Sequence, residues 1–321
     1  MTDTPLFHDR MLSLGLARVA EQAAIASAEW VGRGDEKAAD QAAVNAMRAQ
    51  LNALDIKGVV VIGEGERDEA PMLYIGEEVG SGTGPAVDIA LDPLEGTTLT
   101  AKAMPDALTI IAMAPRGTML HAPDTYMEKL AIGPGYAPGL LSLEMSPRER
   151  VQALATARGC KTSDITVCVL ERPRHQAMID EIRETGAAVF MIPDGDVAGV
   201  IHCADAGKTG VDMYMGTGGA PEGVLAAAAL KCMGGQFWGR LVFRNDDEKA
   251  RAAKAGITDL NRIYTRDELV TGDVIFAATG VTNGSLVHGA RRSPGFVETE
   301  TILMRSRTGS VRRMSYRKPL A

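Results

Sequence analysis

Aromatic side chains are scarce, at 4% of 321 residues. So few rings exclude a stacking platform for single-stranded nucleic acid. A basic excess is missing too: 34 Lys and Arg face 41 Asp and Glu, for a net charge of −7 and a pI near 5.4. A chain whose main partner is nucleic acid needs a basic footprint, and this one has none. The four cysteines, Cys160, Cys168, Cys203 and Cys232, show no C-x-x-C spacing and read as single thiols in apolar runs. The five histidines form no H-E-x-x-H pattern. No apolar run is long enough for a membrane span. Asp3, Asp9 and Arg10 precede any apolar stretch, unlike a secretory signal. The expectation is a soluble cytoplasmic protein with no nucleic-acid or membrane partner.

Glycine is plentiful, with 35 residues, so many positions suit tight turns or close approach to a ligand. A length of 321 residues allows one large core or two lobes packed as one unit. The stretch that organises the chain is Val87 to Thr98. Its alternating Val87, Ile89 and Leu91 predict a buried strand, stopped by Asp92-Pro93 and followed by a turn at Gly96. Asp92 and Glu95 then sit where a strand ends, with the hydroxyls of Thr97 and Thr98 next. Clustered oxygens at a strand edge suit a hard divalent cation such as Mg²⁺ or Mn²⁺, and such ions commonly handle phosphate. The same residues also suit an ordinary turn.

Upstream, Phe7 to Arg33 predicts an Ala-rich helix ending at Gly32-Arg33-Gly34. Asp35 is the expected N-cap of a second helix running to about Leu54. Asp40 falls in line with Val44, Met47 and Leu51 on that helix. It either favours the helix dipole or faces a metal. Gly58 to Ile62 predicts another strand, opening into the acidic run Gly63-Glu64-Gly65-Glu66-Arg67-Asp68-Glu69, so the strand-then-acid arrangement occurs twice. Asp88 lies about 13 Å before Asp92 at roughly 3.3 Å per residue, too far to share its ion directly.

The second half alternates strands and helices, which predicts an α/β lobe. Expected strands cover Ala107 to Ala114, Ile165 to Leu170, Ala188 to Ile192, Val211 to Met215 and Val274 to Ala278. A Ser146-x-x-Glu149 capping box starts a helix, and the lobe boundary is placed near residue 160. The expected domains are thus 1–160 and 161–321. The glycine-rich stretches at 63–68, 80–85 and 216–221 all miss the third glycine of a dinucleotide fingerprint, and none ends as a P-loop does. The last is expected to be a loop opening a helix, a ready anion site, with Glu222 either satisfying the dipole or binding a metal. Asp194-Gly195-Asp196 fails as a calcium loop because apolar residues follow. A hairpin is expected around Thr308-Gly309, with Arg305, Arg307, Arg312 and Arg313 on a solvated edge strand.

Taken together, these residues resemble the class II fructose-1,6-bisphosphatase family, within the lithium-sensitive, metal-dependent sugar and inositol phosphatases. Trp30-Val31-Gly32-Arg33-Gly34-Asp35, Val61-Ile62-Gly63-Glu64-Gly65-Glu66, Asp68-Glu69-Ala70-Pro71-Met72 and Asp92-Pro93-Leu94-Glu95-Gly96-Thr97 all look like its signatures. So do Ala122-Pro123-Asp124, Tyr126-Met127-Glu128-Lys129, Pro173-Arg174-His175, Ile192-Pro193-Asp194-Gly195-Asp196 and Gly218-Gly219-Ala220-Pro221-Glu222-Gly223. The matches run from about residue 10 to 316.

The resemblance implies an alternating α/β/α/β/α sandwich with two lobes in one catalytic unit. It implies Mg²⁺- or Mn²⁺-dependent hydrolysis of the 1-phosphate of fructose 1,6-bisphosphate by a homo-oligomer, a dimer or tetramer. The implied metal ligands are Asp40, Glu64, Asp92, Glu95 and Glu222, with the Leu94 carbonyl a further candidate. Substrate contacts fall on Glu95, Gly96, Thr97, Tyr126, Arg172, Pro173, Arg174, Asp194, Gly195, Asp196 and Gly219. Thr97, supported by Asp40, is expected to orient the attacking water, and Arg172 and Arg174 to hold the second phosphate. Sedoheptulose 1,7-bisphosphate is the nearest rival substrate. A non-catalytic sugar-phosphate sensor ranks lower because every expected carboxylate is present. An inositol monophosphatase or a glycosidase would not need the arginine pair.

Overall fold

The computed structural model describes residues 10–65 and 72–320. They form a mixed α/β protein that divides into two compact units, residues 1–121 with 270–321, and residues 122–269. A cut near residue 160 falls inside the second of these. The chain returns to its first unit at the end because the strand over 275–280 completes that unit's sheet.

The first unit opens with α1 (Arg10–Ala28) and α2 (Glu36–Leu51). Residues 7–9 of the expected first helix lie outside the described residues. Asp35 caps α2 as expected, accepting from the Ala38 amide at 2.9 Å. The helix buries Ala39, Ala43, Val44, Met47 and Leu51. Asp40 is half-buried at the edge of that apolar stripe. Next come β1 (Lys57–Ile62), β2 (Glu78–Val79), β3 (Ala86–Glu95), α3 (Thr97–Ala101) and β4 (Leu108–Pro115).

In the second unit β5 (Tyr126–Ile132) leads to α4 (Pro147–Arg158), β6 (Thr166–Leu170), α5 (Gln176–Glu184), β7 (Ala188–Ile192), α6 (Asp196–Cys203) and α7 (Ala206–Thr209). There follow β8 (Met213–Gly219), α8 (Ala220–Met233), β9 (Gln236–Val242), α9 (Asp246–Lys254), β10 (Ile263–Thr265) and α10 (Arg266–Leu269). The first unit resumes with β11 (Ile275–Gly280), β12 (Arg291–Ser293), β13 (Phe296–Arg305) and β14 (Ser310–Pro319).

Among the described residues, the first unit's strands run in the order β12-β13-β11-β4-β3-β1-β2, with β14 also paired to β13. The second unit's order is β10-β9-β5-β8-β6-β7. Each unit packs its own apolar cluster. In the first, α1 and α2 cover Val87, Ile89 and Leu91 of β3. In the second, Val151, Leu154, Ile179 and Ile182 pack with Val167 and Val169 of β6.

Two expectations about strand ends need correction. Asp92-Pro93 does not stop β3, which continues to Glu95. Its register with β4 shifts between Asp92 and Glu95, so Pro93 sits at an irregularity where no ladder N–H is required. Likewise Gly216 to Gly219 are not a loop but the end of β8, paired through Tyr126↔Gly219 with β5. Small residues are needed there because a Cβ on Gly218 would overlap the Asp196 carboxylate, and one on Gly219 the Glu222 carboxylate. The hairpin at 306–309 forms as expected, with β14 paired to β13 and its side chains largely exposed.

Candidate active site

In the first unit, β1 and β3 are parallel neighbours, so their C-terminal ends lie side by side. Glu64 follows the end of β1, while Asp92 and Glu95 stand at the end of β3. α2 brings Asp40 to Glu64, with which it shares a hydrogen bond. Three carboxyl groups from three elements thus converge. Burial and the negative charges of Asp40 and Asp92 push the Glu64 carboxyl up to about 9. Burial also raises Asp40, while the hydrogen bond from Glu64 opposes that rise. At neutral pH Glu64 therefore keeps a proton and donates it to Asp40. Asp92 Oδ1 accepts from the Leu94 amide at 3.0 Å, and Glu95 is buried at 5% exposure.

The loop that carries Glu64 is held under constraint. The Glu64 amide donates to the Leu73 carbonyl at 3.1 Å. Leu73 is fully buried with φ at 55°, a left-handed conformation costing about 1–3 kcal/mol outside glycine. The buried Glu77 carboxylate accepts from the Leu73 amide and is paired with Arg48 of α2 at 2.6 Å. The helix that carries Asp40 thus also braces the backbone that presents Glu64.

Gly96, with φ at 87°, turns the chain from β3 into α3, and a Cβ there would strike Leu99. Thr98 Oγ1 donates to Glu36 at 2.9 Å. Among the described residues Thr97 Oγ1 has no such partner, and it opens α3 half-buried beside Glu95. Asp88 is structural: it is buried and accepts from the amides of Thr118 and Met119 at 2.9 and 3.2 Å. Glu66, Asp68 and Glu69 lie outside the described residues.

Among the described residues, no group of three or more His, Cys, Asp or Glu stands arranged to hold an ion as it is. The chemistry of the donor set nonetheless fits a hard divalent cation. Asp40, Glu64 and Asp92 offer only oxygen, and burial, reinforced by their mutual repulsion, keeps a proton on one of them. A cation there would replace that proton.

In the second unit, β6, β7 and β8 run in the same direction, and β5 starts opposite the end of β8. One end of the sheet therefore gathers Tyr126, Arg172, Pro173, Arg174, Asp194, Gly195, Asp196, Gly219 and Glu222. Arg172 donates to the carbonyls of Glu171 and Pro193 and pairs with Asp194 at 3.4 Å, tying the β6 and β7 ends together. Arg174 donates through Nε and Nη2 to the Thr217 carbonyl at 3.1 and 2.6 Å, and lies 5.0 Å from the Tyr126 ring centre. Gly195, with φ at 79°, turns the chain into α6. Glu222 stands in the first turn of α8, its carboxylate against the backbone of Gly219.

Asp196, expected to read sugar hydroxyls, has one of its two carboxylate oxygens committed within the protein. It is 5% exposed, and its Oδ2 takes Lys129 Nζ at 2.5 Å and the Tyr214 hydroxyl at 3.4 Å. A sugar could reach that oxygen only by opening the pair. Lys129, His175 and Arg244 contact the residues gathered at this end of the sheet, and the sequence pattern gives none of them a role. Lys129 was visible as a charge inside the apolar run Leu130-Ala131-Ile132 and its flank; Arg244 sits in a charged stretch and gave no local signal.

A family model described as bacterial fructose-1,6-bisphosphatase, glpX-encoded, matches residues 10–318. The fructose-1,6-bisphosphatase 1 class 2 of Escherichia coli (strain K12) is 45% identical over 319 residues, covering 95% of this chain and 94% of that protein. The fructose-1,6-bisphosphatase class 2 of Shigella flexneri is similar to the same extent. A solved inositol monophosphatase from Anabaena (Nostoc) sp. PCC 7120 is 15% identical, with a TM-score of 0.31 over 61% of this chain and 72% of that one. That likeness is too slight to support further argument.

Proposed function

The chain belongs to the glpX-encoded bacterial fructose-1,6-bisphosphatase family, and on that premise we propose that it hydrolyses fructose 1,6-bisphosphate at the 1-phosphate with the help of Mg²⁺ or Mn²⁺. The observation that carries the reading is the convergence of Asp40, Glu64 and Asp92 at adjacent strand ends, on a chain 45% identical to class 2 fructose-1,6-bisphosphatases. Asp40, Glu64, Asp92 and Glu95 are the first unit's proposed metal ligands, and Glu222 is the second unit's. When bound, a divalent cation supplies positive charge that lowers the pKa of water and balances the phosphoryl oxygens.

The remaining work falls to this chain's own groups. The Thr97 hydroxyl accepts a hydrogen bond from the attacking water and orients it, and Asp40 supports Thr97. Gly96 keeps the backbone close and uncrowded at the turn. Arg172 and Arg174 bind the phosphate that is not cleaved, because a guanidinium matches phosphate geometry. Tyr126, Pro173 and Gly219 line the same end of the second sheet, and Asp194 and Gly195 read the sugar hydroxyls. Asp196, already paired with Lys129, keeps the start of α6 in place. The net charge of −7 fits a water-soluble enzyme, and its placement in the cytoplasm as a homo-oligomer follows from the family resemblance alone.

Phosphate release from a panel of sugar phosphates, each with and without Mg²⁺ or Mn²⁺, tests the reading. The panel includes fructose 1,6-bisphosphate, sedoheptulose 1,7-bisphosphate and an inositol monophosphate. Cation-dependent release from the fructose ester is expected. No release from it, or equal release after chelation, would sink the proposal.

A further inference from the structure

Tyr126 carries a second guanidinium. It opens β5 opposite both Gly219 of β8 and Val242 of β9. Arg244 follows closely on Val242, and its Cζ lies 4.6 Å from the Tyr126 ring centre, against 5.0 Å for Arg174. Two cations thus share one ring in the second unit.

Both arginines are held by the same half of the fork. Arg174 commits Nε and Nη2 to the Thr217 carbonyl. Arg244 commits Nε and Nη2 to Glu248 Oε1, at 2.6 and 2.5 Å. Glu248 is fully buried, and its other oxygen accepts from the Arg244 amide at 2.7 Å and Thr125 Oγ1 at 2.9 Å. With its anchor fixed on several sides, Arg244 loses little freedom when it meets a ligand. Among the described residues neither Nη1 donates to a protein acceptor, and Arg244 is exposed. Glu248 offsets the charge of Arg244, whereas Arg174 is met only by a carbonyl. The pair therefore keeps net positive charge beside a phenol hydroxyl, which is the chemistry that recognises a phosphate dianion.

We propose that Arg244 is a third arginine of the phosphate subsite, binding the uncleaved phosphate together with Arg174 and Tyr126. This rests on the bisphosphatase reading above. The competing role is structural, in which Arg244 only neutralises buried Glu248.

The test compares fructose 1,6-bisphosphate with fructose 1-phosphate, which lacks the second phosphate. Wild type, Arg244→Lys and Arg244→Ala are each assayed for kcat and KM on both esters, and each is followed by thermal unfolding. Arg244→Lys keeps a cation near Glu248 but loses the planar fork, so it guards against a variant that fails to fold. The expected result is a KM for the bisphosphate raised about tenfold to a hundredfold in Arg244→Ala, with kcat little changed. Arg244→Lys should fall between, and the preference for bisphosphate over monoester should shrink in step. An unchanged preference in both variants, or equal losses on both esters, would overturn the proposal. Should wild type itself show no preference for the bisphosphate, the failure would lie in the bisphosphatase reading, and the proposal would fall with it.

Discussion

Lys129 and Asp196 meet across 2.5 Å inside the second unit, the lysine fully buried and the aspartate 5% exposed. Lys129 rises from the middle of β5, and Asp196 stands at the first position of α6. The pair fits only because Gly218 and Gly223 leave room, since a Cβ on either would crowd the lysine chain or the carboxylate. Asp196 Oδ1, also buried, has no hydrogen-bond partner among the described residues. The carboxylate therefore depends on this one lysine for most of its compensation.

Removing the lysine should expose that dependence. Lys129→Met is expected to destabilise the protein by about 3–5 kcal/mol, because it strands a buried charge. Adding Asp196→Asn should restore part of the loss. Denaturant unfolding of wild type and the two variants checks this, and a loss below about 1 kcal/mol for Lys129→Met would show the pair to be dispensable.

Thr97→Ala should lower kcat by about a hundredfold or more while KM moves little, since the proposed role of the hydroxyl is to orient the attacking water and not to hold the bound ester. Thr97→Ser should recover much of the activity. Steady-state kinetics on fructose 1,6-bisphosphate would tell, and an unchanged kcat in Thr97→Ala would remove this residue from the mechanism.

The raised Glu64 carboxyl makes the cation-free protein sensitive to base. The folded state holds a proton that the unfolded chain releases near 4.5, so stability should fall as pH rises from there toward about 9. Glu64→Gln should flatten that slope. Mn²⁺ should raise the melting temperature most at the alkaline end, because an ion bound at the proposed site would take the proton's place. Melting curves of chelator-treated and Mn²⁺-loaded protein across this range would measure both effects. A cation-free protein that grows more stable toward pH 9 would contradict the assignment.

His175 gives the opposite sign. Its Nε2 accepts from the Thr217 amide at 2.9 Å and its Nδ1 donates to the Leu170 carbonyl at 2.7 Å, so the folded protein holds it neutral. Burial, which disfavours the charged ring, lowers its pKa below 6.5. The unfolded chain then takes up the proton first, and stability should be lost as pH falls through 6.5 and below. Thr217 also anchors Arg174, so KM for the bisphosphate should rise over the same acid range. His175→Gln should lack the acid slope in melting temperature. A wild-type profile without that slope would remove His175 as its source.

Local pattern makes much of this legible in the sequence. The Asp35 cap, the Ser146–Glu149 capping box, the strand at 188–192 and the 306–309 turn are all written in neighbouring residues and appear where expected. The strand ends depart from local preference where a partner strand overrides it. Pro93 is tolerated at a register shift, and Gly216 to Gly219 stay extended because β5 pairs with them and side chains occupy the space beside them.

Sequence alone determined the family, the oxygen-rich acids and the arginine pair, because those depend on residue identity and short spacing. Tertiary structure decided which acid holds the proton, which threonine keeps its hydroxyl unspent and which carboxylate is spent on a buried lysine. Those outcomes turn on burial and on charges brought together from distant segments: Asp40 from α2, Glu64 beyond β1 and Asp92 on β3. No window of neighbouring residues contains that electrostatic environment, since it exists only once parallel strand ends and a helix flank share a common edge.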